Sequence, residues 1–140
     1  MHEASPGKPR TGGCHCGRIR FSVTGAAFQE SSCHCSICRR TTGAPFVAWY
    51  AVKAEQFTLK SGEPRQFEGR PGAQRNFCPR CGTGLFYRNE EVLPGLVDIQ
   101  SATFDDAGAE APAIQVQCAD RLAWVTSIPD MPEFERYPGP

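Results

Sequence analysis

Seven of the eight cysteines in this 140-residue chain lie in three short motifs, and no other feature restricts the fold as strongly. The motifs are, in chain order, a C-x-C at Cys14 and Cys16, a C-x-C-x-x-C at Cys33, Cys35 and Cys38, and a C-x-x-C at Cys78 and Cys81. The polar N-terminus has no apolar stretch typical of a signal peptide, so we expect a cytoplasmic protein. In that reducing compartment disulfides are rare, and clustered thiols commonly bind metal.

The number of clustered cysteines predicts two zinc ions per chain. Structural zinc sites are closed by four ligands, whereas catalytic sites keep three protein ligands and one open position. The two pairs, Cys14 with Cys16 and Cys78 with Cys81, would make one closed site. The triplet of Cys33, Cys35 and Cys38 would make one open site. Gly82 directly follows the second pair and can adopt the backbone conformation that a tight zinc knuckle needs.

Other interpretations of these cysteines remain open on the sequence. Cys78 and Cys81 could be buried free thiols, or a redox motif of the thioredoxin type, although no βαβ pattern surrounds them. The triplet could be a second structural site closed by Cys118 or by a histidine. His15 and His34 each lie between two cysteines, and in an extended segment such a side chain points away from its neighbours. We therefore expect neither histidine to be a ligand, and we expect Cys118 to be an ordinary strand residue.

Two arginines follow the triplet directly. Positive charge from Arg39 and Arg40 would favour the thiolate form of the cysteines, which binds metal and attacks carbon. Arginine also binds carboxylates in a bidentate manner, so both are candidate substrate-binding residues. The alternative is that they are solvated surface charges.

The pattern of the remaining residues predicts an all-β domain. Alternation of Ile19, Phe21 and Val23 with polar residues indicates a half-buried strand. Further strands are predicted at residues 45–52, 57–59, 65–67, 74–77, 85–88, 96–102 and 113–118, separated by glycine- and proline-containing turns. A single helical turn is predicted at residues 36–42, ending at Gly43. Many short strands favour a sandwich or a small open barrel.

Charge and hydropathy exclude several classes of partner. There are 15 basic and 15 acidic residues, and nucleic-acid binders usually carry a basic excess. No apolar run is long enough for a membrane-spanning helix. We therefore expect small-molecule ligands rather than nucleic acid or membrane, and the sequence does not indicate an oligomeric state.

The motifs together resemble the glutathione-dependent formaldehyde-activating enzyme (GFA) family, whose domain is shared with centromere protein V. The matching stretches are residues 13–17, 33–40, 43–49 and 77–87, followed by residues 97–99 and 104–106. The resemblance covers about residues 12–125. It implies a flexible N-terminal tail at residues 1–11, a GFA-type zinc domain at 12–125, and a proline-rich tail at 126–140 that packs on or near the domain.

Membership of this family would imply a zinc-bearing β-tent fold of short antiparallel strands with little helix, and a carbon–sulfur lyase activity. By the resemblance, the structural zinc falls on Cys14, Cys16, Cys78 and Cys81, and the catalytic zinc on Cys33, Cys35 and Cys38. The namesake reaction joins glutathione and formaldehyde into S-hydroxymethylglutathione. The alternative function is a non-catalytic, zinc-stabilised protein-binding module on the same fold. Gln115 stands where family members often carry a histidine, which puts a role of that histidine in doubt here.

Overall fold

Most of the regular structure is β-strand in the computed structural model, which describes residues 8–139. Within these residues, ten strands form two sheets, alongside one α-helix, α1 (Ser36–Thr42), and short 3-10 helices. The strands are β1 (Arg10–Gly13), β2 (Arg20–Val23), β3 (Gln29–Cys33), β4 (Val47–Lys53), β5 (Phe57–Ser61), β6 (Arg65–Glu68), β7 (Gln74–Phe77), β8 (Gly84–Arg88), β9 (Leu96–Gln100) and β10 (Ile114–Val116). The 3-10 helices are Ala54–Gln56, Ser101–Thr103, Cys118–Asp120 and Ala123–Asp130. The prediction of an all-β fold with little helix is confirmed.

The smaller sheet has the order β1-β2-β5, and the larger has the order β10-β3-β4-β9-β8-β7-β6. Neighbouring strands are antiparallel except for β10, which lies parallel to β3. Parallel pairing requires a long connection, and the intervening strands β4 to β9 supply it. The resemblance implied antiparallel strands, and this one edge differs.

The main hydrophobic core lies between the two sheets. Ile19, Phe21 and Val23 at β2 are at most 1% exposed, as their alternation predicted. The ring of Phe21 contacts Phe57 and Phe104, with centroids 5.7 and 5.6 Å apart. Burial of this many large apolar side chains, each contributing about 1.5–3 kcal/mol, stabilises the sandwich.

The other face of the larger sheet carries α1. Trp49 and Val47 of β4 form a second buried cluster with Cys33 and Cys38, whereas Tyr50 of β4 faces the main core. Strand β4 is therefore buried on both faces, which explains its continuous run of apolar residues.

The structure confirms both boundaries of the predicted helix. Its first turn is capped by Cys35, whose Sγ accepts a hydrogen bond from the Cys38 amide, and Gly43 ends it. The φ of Gly43 is 74°, and its N–H donates to the Arg39 carbonyl at 2.8 Å. This left-handed position favours glycine because other residues are strained there.

Several segments differ from the sequence-based expectations. The sequence indicated no strand at β1 or β3, and Arg10 and Thr11 lie in β1 rather than in a tail. Residues 1–7 of the predicted tail lie outside the described residues. The predicted strand at 113–118 is shorter, because Cys118 begins a 3-10 helix instead.

The C-terminal segment carries more regular structure than a tail. A 3-10 helix spans Ala123–Asp130, and the residues from 126 to 139 are exposed. Within the described part of the chain, no helix has the length and apolarity needed to cross a membrane.

Candidate metal centres

Cys14, Cys16, Cys78 and Cys81 converge on one point, and we call them the four-cysteine cluster. The first pair follows β1, and the second lies in the turn between β7 and β8. The cluster therefore links a strand of the smaller sheet to the larger one. Ligand atoms of all four residues lie within 4.8 Å of one another.

The spacing of the sulfurs fits a tetrahedral zinc ion. Zinc–thiolate bonds of about 2.3 Å place tetrahedral sulfurs about 3.8 Å apart. The Sγ atoms of Cys14 and Cys16 are 3.6 Å apart, and those of Cys16 and Cys78 are 3.8 Å apart. The cluster could thus hold a metal ion with little movement.

Backbone amides and one hydroxyl support negative charge on these sulfurs. The Ile19 amide donates to Cys14 Sγ at 3.2 Å, and the amides of the tight turn after Cys78 point at its sulfur. The Thr83 hydroxyl lies 3.2 Å from Cys81 Sγ and lowers the pKa of that thiol to about 5. Gly82 in this turn has a φ of 83°, which confirms the need for a permissive residue.

Cys33, Cys35 and Cys38 form a separate three-cysteine cluster at the junction of β3 and α1. Cys33 ends the strand, Cys35 caps the helix, and Cys38 lies inside its first turns. The ligand atoms of all three also lie within 4.8 Å of one another, and the Sγ atoms of Cys33 and Cys38 are 3.6 Å apart. This arrangement fits three corners of a zinc tetrahedron.

The cluster stabilises a thiolate even before a metal is considered. The Cys38 thiol donates to Cys33 Sγ, and this hydrogen bond lowers the pKa of Cys33 to about 6. The pKa of Cys38 is raised well above its ordinary value, first by this same bond and then by burial. Both pKa shifts favour the thiol form of Cys38 and the thiolate form of Cys33.

A cavity of about 520 Å³ opens directly onto the three-cysteine cluster. Its volume lies within the range of about 300–1,000 Å³ that is typical of small-molecule sites. The three cysteines line it together with Trp49, Tyr87, Asp98, Arg70 and Arg75. Two neighbouring cavities of about 540 and 710 Å³ share Arg75 with it. The largest of the three adjoins Cys81 rather than the three-cysteine cluster, so volume alone does not identify the cavity at that cluster.

Asp98 is the most unusual residue of this cavity. Burial raises the pKa of its carboxyl group to about 7, and the negative charge on Cys33 adds to the effect. Its Oδ1 is buried, and no hydrogen-bond partner for it exists among residues 8–139. The guanidinium of Arg75 stacks on the neighbouring Tyr87 ring, 4.8 Å from its centroid.

The structure places the other predicted residues as follows. Arg39 and Arg40 lie in the last turn of α1, outside the lining of the cavity at the triplet. His34 is 1% exposed, and its Nε2 lies 2.9 Å from Gln115 Oε1, so Gln115 contacts His34. His15 and Cys118 are exposed, and neither belongs to a group of converging ligand atoms in the described part of the chain.

The sequence-based reasoning missed Asp98, Arg70 and Arg75 as site residues. Asp98 had a recognisable signal, because it is a single charge within the apolar run of β9. Arg75 had none, because only the pairing of β7 with β8 sets it opposite Tyr87.

A family model described as "Glutathione-dependent formaldehyde-activating enzyme" matches residues 9–120. A Halomonas elongata protein named "Putative glutathione-dependent formaldehyde-activating enzyme" is 33% identical over 87 residues, which are 54% of this chain and 53% of that protein. A Phaeosphaeria nodorum protein of the same name is 28% identical over 105 residues, covering 71% of this chain and 55% of its own length. The chain thus spans about half the length of these curated relatives.

Two further similarities are more distant. A Schizosaccharomyces pombe protein named as an uncharacterized lyase is 28% identical over 76 residues, covering 54% of this chain and 55% of that protein. The crystal structure of a Rhodobacter sphaeroides protein, a structural genomics target, superposes with a TM-score of 0.60 at 19% identity. It covers 76% of this chain and 99% of its own, and at this identity it shows a shared fold only.

Proposed function

Because the chain belongs to the glutathione-dependent formaldehyde-activating enzyme family, we propose that it is a zinc-dependent carbon–sulfur lyase acting on a thiol and a small aldehyde. The observation that carries the proposal is a three-cysteine cluster opening into a cavity of about 520 Å³. A structural zinc site is closed by four protein ligands and needs no open position, so the four-cysteine cluster would hold a structural zinc ion. A cytoplasmic location is part of this proposal.

The donor set fits sulfur chemistry. Zinc bound by Cys33, Cys35 and Cys38 would supply an open position that lowers the pKa of a substrate thiol. Three thiolates donate much negative charge, so such an ion is a weaker Lewis acid than one bound by three histidines. This favours thiol activation over hydrolysis.

The proposed reaction needs no oxidant or reductant. The thiolate sulfur attacks the carbonyl carbon, so one carbon–sulfur bond forms while the carbonyl π bond breaks. The proton lost by the thiol ends on the former carbonyl oxygen, and the reverse reaction splits the product. The chain contributes a cavity that is partly closed by α1, an aromatic wall of Trp49 and Tyr87, and arginines for substrate carboxylates.

The experiment is exchange NMR on zinc-loaded protein with glutathione and ¹³C-formaldehyde. These compounds also combine spontaneously, so the measured quantity is the acceleration of exchange between free and thiol-bound formaldehyde. We expect wild-type protein to accelerate exchange, Cys35→Ser to lose the acceleration, and Cys118→Ser to keep it. Cys118 is a matched control because it is an exposed cysteine outside both clusters. Fully zinc-loaded protein that gives no acceleration would instead support a non-catalytic binding module.

A further inference from the structure

The fold does not explain why the carboxyl group of half-buried Asp98 has a buried oxygen. Val97 and Ile99, its neighbours in β9, face the main core and are at most 1% exposed, whereas Asp98 faces the cavity on the opposite side of the sheet. Its Oδ1 is buried without a hydrogen-bond partner among the described residues. An unpaired buried polar group destabilises the folded protein, so this arrangement is unfavourable unless a partner arrives from outside.

The acidic Asp98 and the basic Arg75 line the same cavity. Asp98 is directly opposite Tyr87 in the register of β9 and β8, and Tyr87 is opposite Arg75 in the register of β8 and β7. The three side chains therefore follow one row across three strands. The Arg75 guanidinium lies on the Tyr87 ring and also lines the two neighbouring cavities. Among the described residues it has no ion pair with a carboxylate.

The three-cysteine cluster lines the same cavity as this row of side chains. Cys33 and Trp49 line the same cavity, and the Trp49 ring lies 6.1 Å from that of Tyr87. One cavity thus offers a sulfur-binding cluster, a carboxyl group with an unpaired buried oxygen, and a guanidinium that pairs with no carboxylate among the described residues. A ligand that satisfies all three would carry a thiol, a cation with N–H donors, and a carboxylate.

We propose that this cavity selects thiols of the amino-acid type, with Asp98 receiving the ligand's ammonium group and Arg75 receiving a carboxylate. The inference rests on the proposed function, because the ligand's sulfur must reach the three-cysteine cluster. Glutathione carries one thiol, one ammonium group and two carboxylates, and it belongs to this class. Simple thiols such as 2-mercaptoethanol lack both charged groups.

Calorimetric binding to the zinc-loaded protein tests the role of Asp98 with two ligands. Glutathione carries the ammonium group, and N-acetylglutathione differs by having that group neutralised. We expect Asp98→Asn to weaken glutathione about tenfold, which corresponds to about 1.4 kcal/mol, and to leave the affinity for N-acetylglutathione unchanged. Acetylation of the ligand should itself weaken binding to the wild-type protein about tenfold.

A matched variant separates a direct contact from a general charge effect. Glu63 is exposed in the turn between β5 and β6, and Glu63→Gln removes the same negative charge as Asp98→Asn. We expect Glu63→Gln to change neither affinity by more than about twofold. If Asp98→Asn weakens both ligands equally, or if wild-type protein binds both ligands equally well, the assignment of Asp98 is overturned.

The role of Arg75 is tested in the same way with cysteamine, which keeps the thiol and ammonium groups but has no carboxylate. Arg75→Gln should weaken glutathione about tenfold and cysteamine by less than twofold, and equal losses would overturn this contact. Wild-type protein that neither binds glutathione nor accelerates its exchange would contradict the proposed function as well. Normal acceleration with no ligand discrimination by either variant would contradict this inference alone.

Discussion

Replacing one cysteine in each cluster should separate the structural role from the catalytic one. Cys78 and Cys38 are a suitable pair, because the two side chains are 0% and 6% exposed and the substitution to serine is the same. Each change removes one ligand from its cluster. The difference in the free energy of unfolding between the two variants should therefore reflect which segments of the chain each cluster links.

The expected difference follows from the length of chain that each cluster closes. The four-cysteine cluster brings together Cys16 and Cys78, which are 62 residues apart, whereas Cys33 and Cys38 are five residues apart. In the chain-entropy model of a cross-link, the longer loop contributes roughly 4 kcal/mol and the shorter roughly 2 kcal/mol. Cys78→Ser should thus destabilise the protein by about 2 kcal/mol more than Cys38→Ser.

Urea unfolding followed by circular dichroism, with zinc content measured on the same samples, checks this difference. Wild-type protein should hold about two zinc ions per chain, and each variant about one. Cys118→Ser should keep both ions and change the free energy of unfolding by less than about 0.5 kcal/mol, because Cys118 is exposed. Equal destabilisation by Cys78→Ser and Cys38→Ser would refute the reasoning and make the triplet a structural site.

Three further outcomes are expected from residues outside the clusters. Burial, together with a hydrogen bond that the protonated Glu30 donates to Glu110, raises the pKa of Glu30 to about 7. The free energy of unfolding should therefore fall as pH rises from about 4.5 to 7, because the folded protein holds a proton that the unfolded chain loses. Glu30→Gln should remove this fall and stabilise the protein by at most about 1 kcal/mol at pH 8. The same pH dependence of unfolding free energy in the variant and in wild-type protein would contradict this. Gly12→Ala should cost several kcal/mol in urea unfolding, because a Cβ there would lie 2.5 Å from a buried ring and a backbone carbonyl, and an unchanged midpoint would contradict this. Gln115→Ala should cost about 1 kcal/mol in urea unfolding by leaving His34 Nε2 without its partner, whereas Gln115→Glu keeps an oxygen acceptor and should cost less, and equal costs for the two variants would contradict this contact.

The sequence predicts best where local chemistry decides the structure. Helix α1 has both boundaries where they were predicted, because a capping side chain and Gly43 set its ends. Strand β2 was indicated by its apolar alternation, although it is shorter than the alternating segment. The spacing of the cysteines alone divided them into the same four and three that converge in the structure.

The sequence predicts poorly where long-range pairing decides. Strand β3 reads Gln-Glu-Ser-Ser-Cys, and its polar residues give no alternation, yet pairing with β4 and β10 holds it in the sheet. The same applies to the cavity. Asp98 and Arg75 become neighbours of one ring only through the registers of β7, β8 and β9, and no local pattern records those registers.

The central claim is that the three-cysteine cluster holds a zinc ion whose fourth position takes a substrate sulfur. A crystal structure of the zinc-loaded protein soaked with glutathione tests it most directly. We predict two zinc ions per chain, with the glutathione sulfur about 2.3 Å from the ion on Cys33, Cys35 and Cys38. A fourth position occupied by a side chain of the protein itself, with glutathione absent from the cavity, would contradict the claim.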